Sequence, residues 1–356
     1  MSGTSLDGID ISIITTNGIN IFEFGPNFFI NFTIKLKKKL LYFFNSKDKL
    51  YLDQNFLNDL NLQFSKEYAY SILKFLKDND VDLIGFHGQT IKHDPKNKIT
   101  IQLGDGQLIS NILNKNLVCN FRKNDILNNG QGAPLAPIYH KLIIEDLNLN
   151  LPSCILNIGG ISNITYWDRN NLIGFDTGPG NSLVNDIMLK FFKKDYDKDG
   201  EVAFSGKIIN NLIHMIIKDD YFKSPYPKSL DRQYFNHYLT NFIDKYKPED
   251  LIATMSEFTA LSISNSLKLL PKYPKSIIIT GGGSKNLYIM HRLKKYLKCE
   301  IIEEYFLKYH PDFIESQLIG FLAVRSMNRI PYTFPLTTGV VNPLSGGDLY
   351  KPTKIR

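Results

Sequence analysis

A two-domain α/β fold is predicted by three features of the sequence. At 356 residues the chain exceeds what one hydrophobic core usually holds, so two domains with a cleft between them are expected. Short apolar runs that end in glycine turns and lead into amphipathic helices recur along it, as in α/β architectures. From Cys154 the pattern of strands around a glycine loop restarts. Although the two stretches share no sequence repeat, this suggests duplicated mixed β-sheet lobes, flanked by helices and facing each other across a cleft.

A hydrophobic content of 43% and a charged content of 22% describe an ordinary globular chain rather than a disordered one. The net charge of +7 and pI near 9.0 raise the question of nucleic acid, but the lysines are scattered. Their one dense cluster, Lys35 to Lys39, stands beside Leu36, Leu40 and Leu41 and reads as the solvated face of a helix. No nucleic-acid-binding module accompanies the charge, so no nucleic-acid partner is expected. Cys119, Cys154 and Cys299 are odd in number and lack metal-type spacing, which argues against disulfides and zinc and fits a reducing compartment. Without a signal-type opening or a bilayer-length apolar run, no membrane association is expected and the protein is placed in the cytoplasm.

In chain order, Met1-Ser2-Gly3-Thr4-Ser5-Leu6-Asp7-Gly8 is loop chemistry rich in hydroxyls and glycine. Its N–H groups and the Thr4 and Ser5 hydroxyls suit anionic oxygens, and an ionised Asp7 suits a water held on Mg²⁺. Position alone favours a frayed terminus instead. Ile9 to Thr16 is strand-like, Asn17-Gly18 signals a hairpin, and Ile19 to Phe24 reads as a mostly buried strand. Leu57, Leu60, Phe64, Tyr68 and Ile72 mark a helix over residues 56–77. A strand from Val81 to Phe86 ends at His87-Gly88-Gln89-Thr90, polar groups at the carboxyl end where open α/β sheets place ligands. His87 suits a sugar contact or a proton partner, and equally a structural hydrogen bond.

Two more strands, Thr100 to Leu103 and Leu117 to Phe121, flank a helix at Gln107 to Leu113. Arg122 follows at a strand end, where its planar fork suits a carboxylate or phosphate; the plain alternative is a surface ion pair with Asp125. The second half opens with strands at Ile155 to Ile158, Ile161 to Trp167 and Leu172 to Phe175, with Gly159-Gly160 as a turn. The last strand leads to Asp176-Thr177-Gly178-Pro179-Gly180, and a helix from Ser182 to Phe192 has its N-terminus behind these glycines, favourable to phosphate. A carboxylate at this place suits the base of a phosphoryl-transfer enzyme, although Asp-Thr-Gly-Pro is also an ordinary turn. An ordinary carboxylate pKa would leave Asp176 ionised at neutral pH.

Asp195 to Gly200 matches half of a calcium loop, but Gly206 stands where the bidentate Glu belongs, so a calcium site is rejected. A long helix at 249–270 carries Glu257, and a strand at Ser276 to Ile279 ends in Thr280-Gly281-Gly282-Gly283-Ser284 before a helix at Lys285 to Leu297. The spacing is not that of a dinucleotide fingerprint. Glu315 opens the final helix, to about Arg329, where interaction with the helix dipole is reason enough for it.

Taken in order, MSGTSLDGID, GFHGQTIKHDP, TIQLGD, NFRKNDI with GQGAPLAP, LNIGGISNIT, GFDTGPGN, DKDG, ATMSEFTA, ITGGGSKN and PDFIESQLIGFLAVR resemble the anhydro-N-acetylmuramic acid kinase family over nearly the whole chain. That family belongs to the actin-like, sugar-kinase and Hsp70-type ATPase superfamily. The resemblance implies a two-lobed actin-like ATPase (ribonuclease H-like) fold, with residues 1–145 plus 311–356 as one lobe and 146–310 as the nucleotide-binding lobe. It implies ATP and Mg²⁺ as cofactors, a small anhydro-amino sugar as substrate, a role in peptidoglycan recycling, and a homodimer as the candidate assembly.

By the same resemblance Asp176 is the catalytic aspartate that activates water. Gly3, Thr4, Ser5, Leu6, Asp7, Gly8, Ile9 and Asp10 form the ATP phosphate loop, with Asp7 toward Mg²⁺, and Gly281, Gly282 and Gly283 lie beside the adenosine. Thr4, His87, Arg122 and Glu315 surround the sugar, and the arginine suits the lactyl carboxylate of a muramic acid. The family carries apolar residues ahead of MSGTS, so either the start of the chain is placed too late or the first strand is shortened here. Two alternatives stay open: a kinase of the superfamily for another sugar, and a non-catalytic ATP-driven interaction protein.

Overall fold

The computed structural model describes residues 1, 2, 6, 8–45, 54–231, 234–303 and 308–353. Its strands run in chain order as β1 (Gly8–Thr16), β2 (Ile21–Asn31), β3 (Leu83–Gly85), β4 (Gln89–Asp94), β5 (Ile99–Leu103), β6 (Asn116–Cys119), β7 (Ser153–Ile158), β8 (Ile161–Trp167), β9 (Leu172–Pro179), β10 (Ser276–Thr280), β11 (Glu300–Ile301) and β12 (Asp348–Tyr350), with helices between them. This is the α/β class that the sequence predicts. Two compact units divide the chain: unit 1 is Met1–Tyr139, Asp312–Pro335 and Gly339–Arg356, and unit 2 is His140–Pro311 and Leu336–Thr338.

In unit 1, Asn17-Gly18 makes the hairpin it signals, and β1 pairs antiparallel with β2 from Thr16 opposite Ile21 to Gly8 opposite Asn31. Asn17 Oδ1 accepts from the N–H groups of Ile19 at 2.9 Å and Asn20 at 2.8 Å, which fixes the turn. The expectation of a buried strand here is overturned, because no residue of β2 is buried and Phe22 is 65% exposed. Among the described residues β2 pairs with β1 alone, as an edge strand, and its side chains are at most partly covered, Phe28 by the ring of Phe75 with centroids 5.4 Å apart. A separate sheet runs in the order β12-β6-β3, with β6 parallel to β3 and antiparallel to β12, and β4 and β5 form a hairpin. The helix Gln54–Leu76 buries Leu60, Phe64, Tyr68 and Ile72, one per turn. These join Leu36, Leu40, Ile84, Phe86, Ile109 and Leu117 in one core.

Unit 2 is built on a five-stranded sheet in the order β11-β10-β7-β8-β9. β10 is parallel to both β7 and β11, while β8 is antiparallel to β7 and β9. Cys154–Leu156 and Ile277–Ile279 are buried throughout, as central strands covered on both faces require. The helix Pro248–Leu267 adds Ala260, Ile263 and Leu267 to this core, and the helix Leu287–Tyr296 adds Ile289 and Leu293. Between these helices the Arg292 guanidinium donates twice to the Glu257 carboxylate, with Nη2 to Oε1 at 2.6 Å, and the Tyr296 hydroxyl donates to it as well.

The stretch that mimics half a calcium loop has another use. The Asp197 carboxylate accepts from the N–H groups of Val202 at 2.9 Å and Ala203 at 3.0 Å, capping the helix Glu201–Ser205. Among the described residues no helix is long and apolar enough to cross a membrane.

Candidate active site

Asp176 lies inside β9 rather than beyond its end. Asn163 of β8 faces Asp176 and the next residue back, Ser162, faces Gly178, so Thr177 is an extra residue in the ladder. Such a β-bulge kinks a strand and re-aims its side chains. On one side Phe175 is fully buried and stacks on Tyr226, with centroids 5.5 Å apart.

Three contacts hold the aspartate, and a fourth braces its partners. Its N–H donates to the Lys228 carbonyl at 3.0 Å, its own carbonyl accepts from the Tyr221 hydroxyl, and its Oδ2 accepts from the Leu230 N–H at 2.7 Å. The Lys228 ammonium in turn donates to the Tyr221 carbonyl at 2.9 Å. Oδ1 has no partner among the described residues. Burial pushes the carboxyl up to about 7, against the lowering effect of the Leu230 N–H. This corrects the expectation of an ordinary pKa, since the surrounding protein desolvates the charged form and only one hydrogen bond favours it.

Three glycine loops meet at the carboxyl ends of β7, β9 and β10. The Gly180 N–H donates to the Gly160 carbonyl at 2.9 Å and the Asn181 N–H to the Gly159 carbonyl at 2.8 Å. A Cβ on Gly180 would stand 2.2 Å from the Gly159 oxygen. One on Gly281, whose φ of +80° is already left-handed, would stand 2.2 Å from Asn157 Oδ1. Parallel pairing of β7 with β10, with Asn157 opposite Thr280, brings Gly281, Gly282 and Gly283 to the same edge as Gly159. Backbone amides gathered at strand ends are suited to phosphate and ribose oxygens. The following helix is α-helical from Ser182 to Ile187 and widens to a π-turn at Met188–Phe192.

In unit 1, His87 and Arg122 follow the adjacent parallel strands β3 and β6. Arg122 Nε donates to His87 Nε2 at 3.1 Å, so the ring proton sits on Nδ1 and is donated to the Gly88 carbonyl at 2.8 Å. Burial and the neighbouring guanidinium push this imidazole down to about 3, which keeps it neutral. Arg122 Nη1 donates to the Gly132 carbonyl at 2.7 Å, and Nη2 has no partner among the described residues. Asp125 is buried rather than at the surface, and it accepts from the Gly132 N–H at 2.6 Å, which pins the glycine loop.

Glu315 opens the helix Ile314–Met327. Its carboxyl is accessible yet closely surrounded, and burial and Asp10 raise its pKa against the Met1 amino group and Arg122. Of the expected phosphate loop, Leu6 and Ile9 put their side chains into the core of unit 1, Gly8 begins β1, and Asp10 carries a carboxyl raised by burial. Gly3, Thr4, Ser5 and Asp7 lie outside the described residues.

A family profile described as anhydro-N-acetylmuramic acid kinase matches residues 1–352. The chain belongs to this family. A relative of that name from Rhodopseudomonas palustris is 36% identical over 99% of this chain and 98% of its own length. Another, from Pelagibacter ubique, is 38% identical over 99% and 97%. Among solved structures, the activator of the 2-hydroxyisocaproyl-CoA dehydratase from Clostridium difficile with bound ADPNP covers 51% of this chain and 62% of its own, at 16% identity and a TM-score of 0.34. A likeness that low carries no argument about fold or ligand.

The structure therefore gathers His87, Arg122, Glu315 and Asp10 within unit 1, and in unit 2 it sets Gly281 to Gly283 beside Gly159, Gly160, Gly180 and Asn181. Sequence reasoning treated Gly159-Gly160 as a turn and passed over Asn181; the available signal was a second glycine pair closing a buried strand. The segment Tyr226–Leu230, which holds Asp176, went unmarked because its contacts are mostly made by main-chain atoms.

Proposed function

We propose that the chain is an ATP-dependent kinase that opens 1,6-anhydro-N-acetylmuramic acid with water and phosphorylates O6, giving N-acetylmuramic acid 6-phosphate and ADP during peptidoglycan recycling in the cytoplasm. The observation that carries this is the family match across residues 1–352. Asp176 takes a proton from water as the water oxygen bonds to C1, the C1–O6 bond breaks, and O6 accepts the γ-phosphoryl group. A carboxyl near 7 with one oxygen fixed by the Leu230 N–H and the other open is matched to such a base, since a general base works best with a pKa close to the operating pH.

Arg122, with Nη2 open, binds the lactyl carboxylate, and His87 holds the guanidinium rather than moving a proton. Glu315 and Thr4 bind sugar hydroxyls. The segment from Gly3 to Asp10, whose last three residues open β1, takes the phosphates, and Gly281 to Gly283 flank the adenosine, with Gly159, Gly160 and Asn181 completing that edge. Mg²⁺ accompanies ATP and offsets charge on the triphosphate; Asp7 is the residue assigned to its water shell.

The test is incubation with ATP, Mg²⁺ and the anhydrosugar in H₂¹⁸O, followed by mass analysis. The expected product is heavier by one phosphoryl group plus one labelled water. A product heavier by the phosphoryl group alone would make the chain a simple sugar kinase, and nucleotide hydrolysis indifferent to the sugar would make it an ATP-driven interaction protein.

A further inference from the structure

Lys228 is 8% exposed and has no carboxylate partner among the described residues. Its ammonium rests 4.5 Å from the centroid of the Tyr221 ring and 5.8 Å from that of Phe175, and it donates to the Tyr221 carbonyl at 2.9 Å. A buried ammonium without a counter-charge is costly, and burial here pushes the amine down to about 8. A methionine of similar length would fill the space without that cost. Stability alone therefore does not account for this lysine.

Its neighbours do. Lys228 closes a ring of hydrogen bonds around Asp176: its carbonyl accepts the Asp176 N–H, its ammonium holds Tyr221, and the Tyr221 hydroxyl returns to the Asp176 carbonyl. Two residues on, the Leu230 N–H fixes Asp176 Oδ2. We propose that Lys228 is a positioning residue for Asp176, whose ammonium, seated on Tyr221, holds the segment Tyr226–Leu230 so that one carboxylate oxygen is tethered and the other is left to the reacting water. This rests on Asp176 being the general base. The ionisable side chains joined by these contacts are Tyr221 from the helix Asp220–Lys223 and Lys228 itself; Tyr234, bonded to Asp219 at 3.0 Å, stands beside the Tyr221 ring.

The experiment compares wild type, Lys228→Met and Asp176→Asn in the ring-opening assay across pH. Lys228→Met is expected to melt no lower than wild type, to lose roughly tenfold or more in kcat, and to keep KM for sugar and ATP within about twofold. Loosening the Leu230 N–H removes the contact that lowers the Asp176 pKa, so the acid limb of kcat/KM moves to higher pH by roughly half a unit or more. Wild-type kcat with an unmoved acid limb in Lys228→Met would overturn the proposal.

Full activity in Asp176→Asn would instead remove the base assignment itself, whatever Lys228 does. Should the wild type fail to turn over, ¹³C titration of the Asp176 carboxyl decides without activity: an upward shift in Lys228→Met supports the ring, and an unchanged value overturns it. If Lys228→Met does not fold, Tyr221→Phe removes the same ring's hydroxyl link, and an unmoved acid limb there counts equally against it.

Discussion

On the proposed assignment of Asp176 as general base, protonation of that one side chain governs the chemistry. With Asp176 held near 7, the base is largely neutral at pH 6 and ionised at pH 8, so kcat/KM should rise with a one-proton limb centred near that value. His87 contributes no such limb, because it stays neutral down to about 3. Asp176→Asn should lose at least a thousandfold in turnover, on the order of a general base's contribution, while still binding ATP by calorimetry. The same shift affects stability. A folded pKa raised above the ordinary 3.8 favours the neutral carboxyl, so its contribution is complete below 3.8 and is lost as pH rises through about 7. Asparagine escapes that loss. In thermal melts the variant should match the wild type at acid pH and exceed it at pH 8 by on the order of 1 kcal/mol, the carboxyl's partial exposure discounting the full shift. Arg122→Lys loses the second arm of the fork and should raise KM for the sugar roughly tenfold or more, with KM for ATP nearly unchanged. Both residues are singled out in the sequence by their place after apolar runs. The pKa of Asp176 was not, because it comes from the protein packed around the carboxyl rather than from its neighbours in sequence.

Strands and loops set where those side chains point. The Asn17-Gly18 hairpin, the helix Gln54–Leu76 and the strands β7 and β10 were readable because turn chemistry and apolar runs are local, whereas the parallel pairing of those two strands was not. The exposure of β2 was not readable either, since a run of apolar residues with imperfect alternation looks the same whether or not another layer covers it. The bulge at Thr177 was equally hidden, because one extra residue in a glycine-rich run leaves no trace in composition. Close approach in these loops is testable. Gly180→Ala places a Cβ against the Gly159 carbonyl, 2.2 Å away, and should weaken ATP binding roughly tenfold or more by overpacking, while calorimetry finds sugar binding unchanged.

For the molecule as a whole, unit 2 is contiguous apart from Leu336–Thr338 and carries its own cores. A fragment of residues 140–311 should therefore show helical and strand circular dichroism and a single cooperative melt; a featureless, non-cooperative trace would show that it depends on the rest of the chain. Unit 1 is drawn from both ends of the sequence, and β12 at Asp348–Tyr350 completes its sheet by pairing with β6 at Leu117–Cys119. A ribosome delivers those partners with the whole of the other unit between them. The nascent β6 must wait with an open strand edge until β12 is made, which makes that short strand a checkpoint for the unit begun earlier.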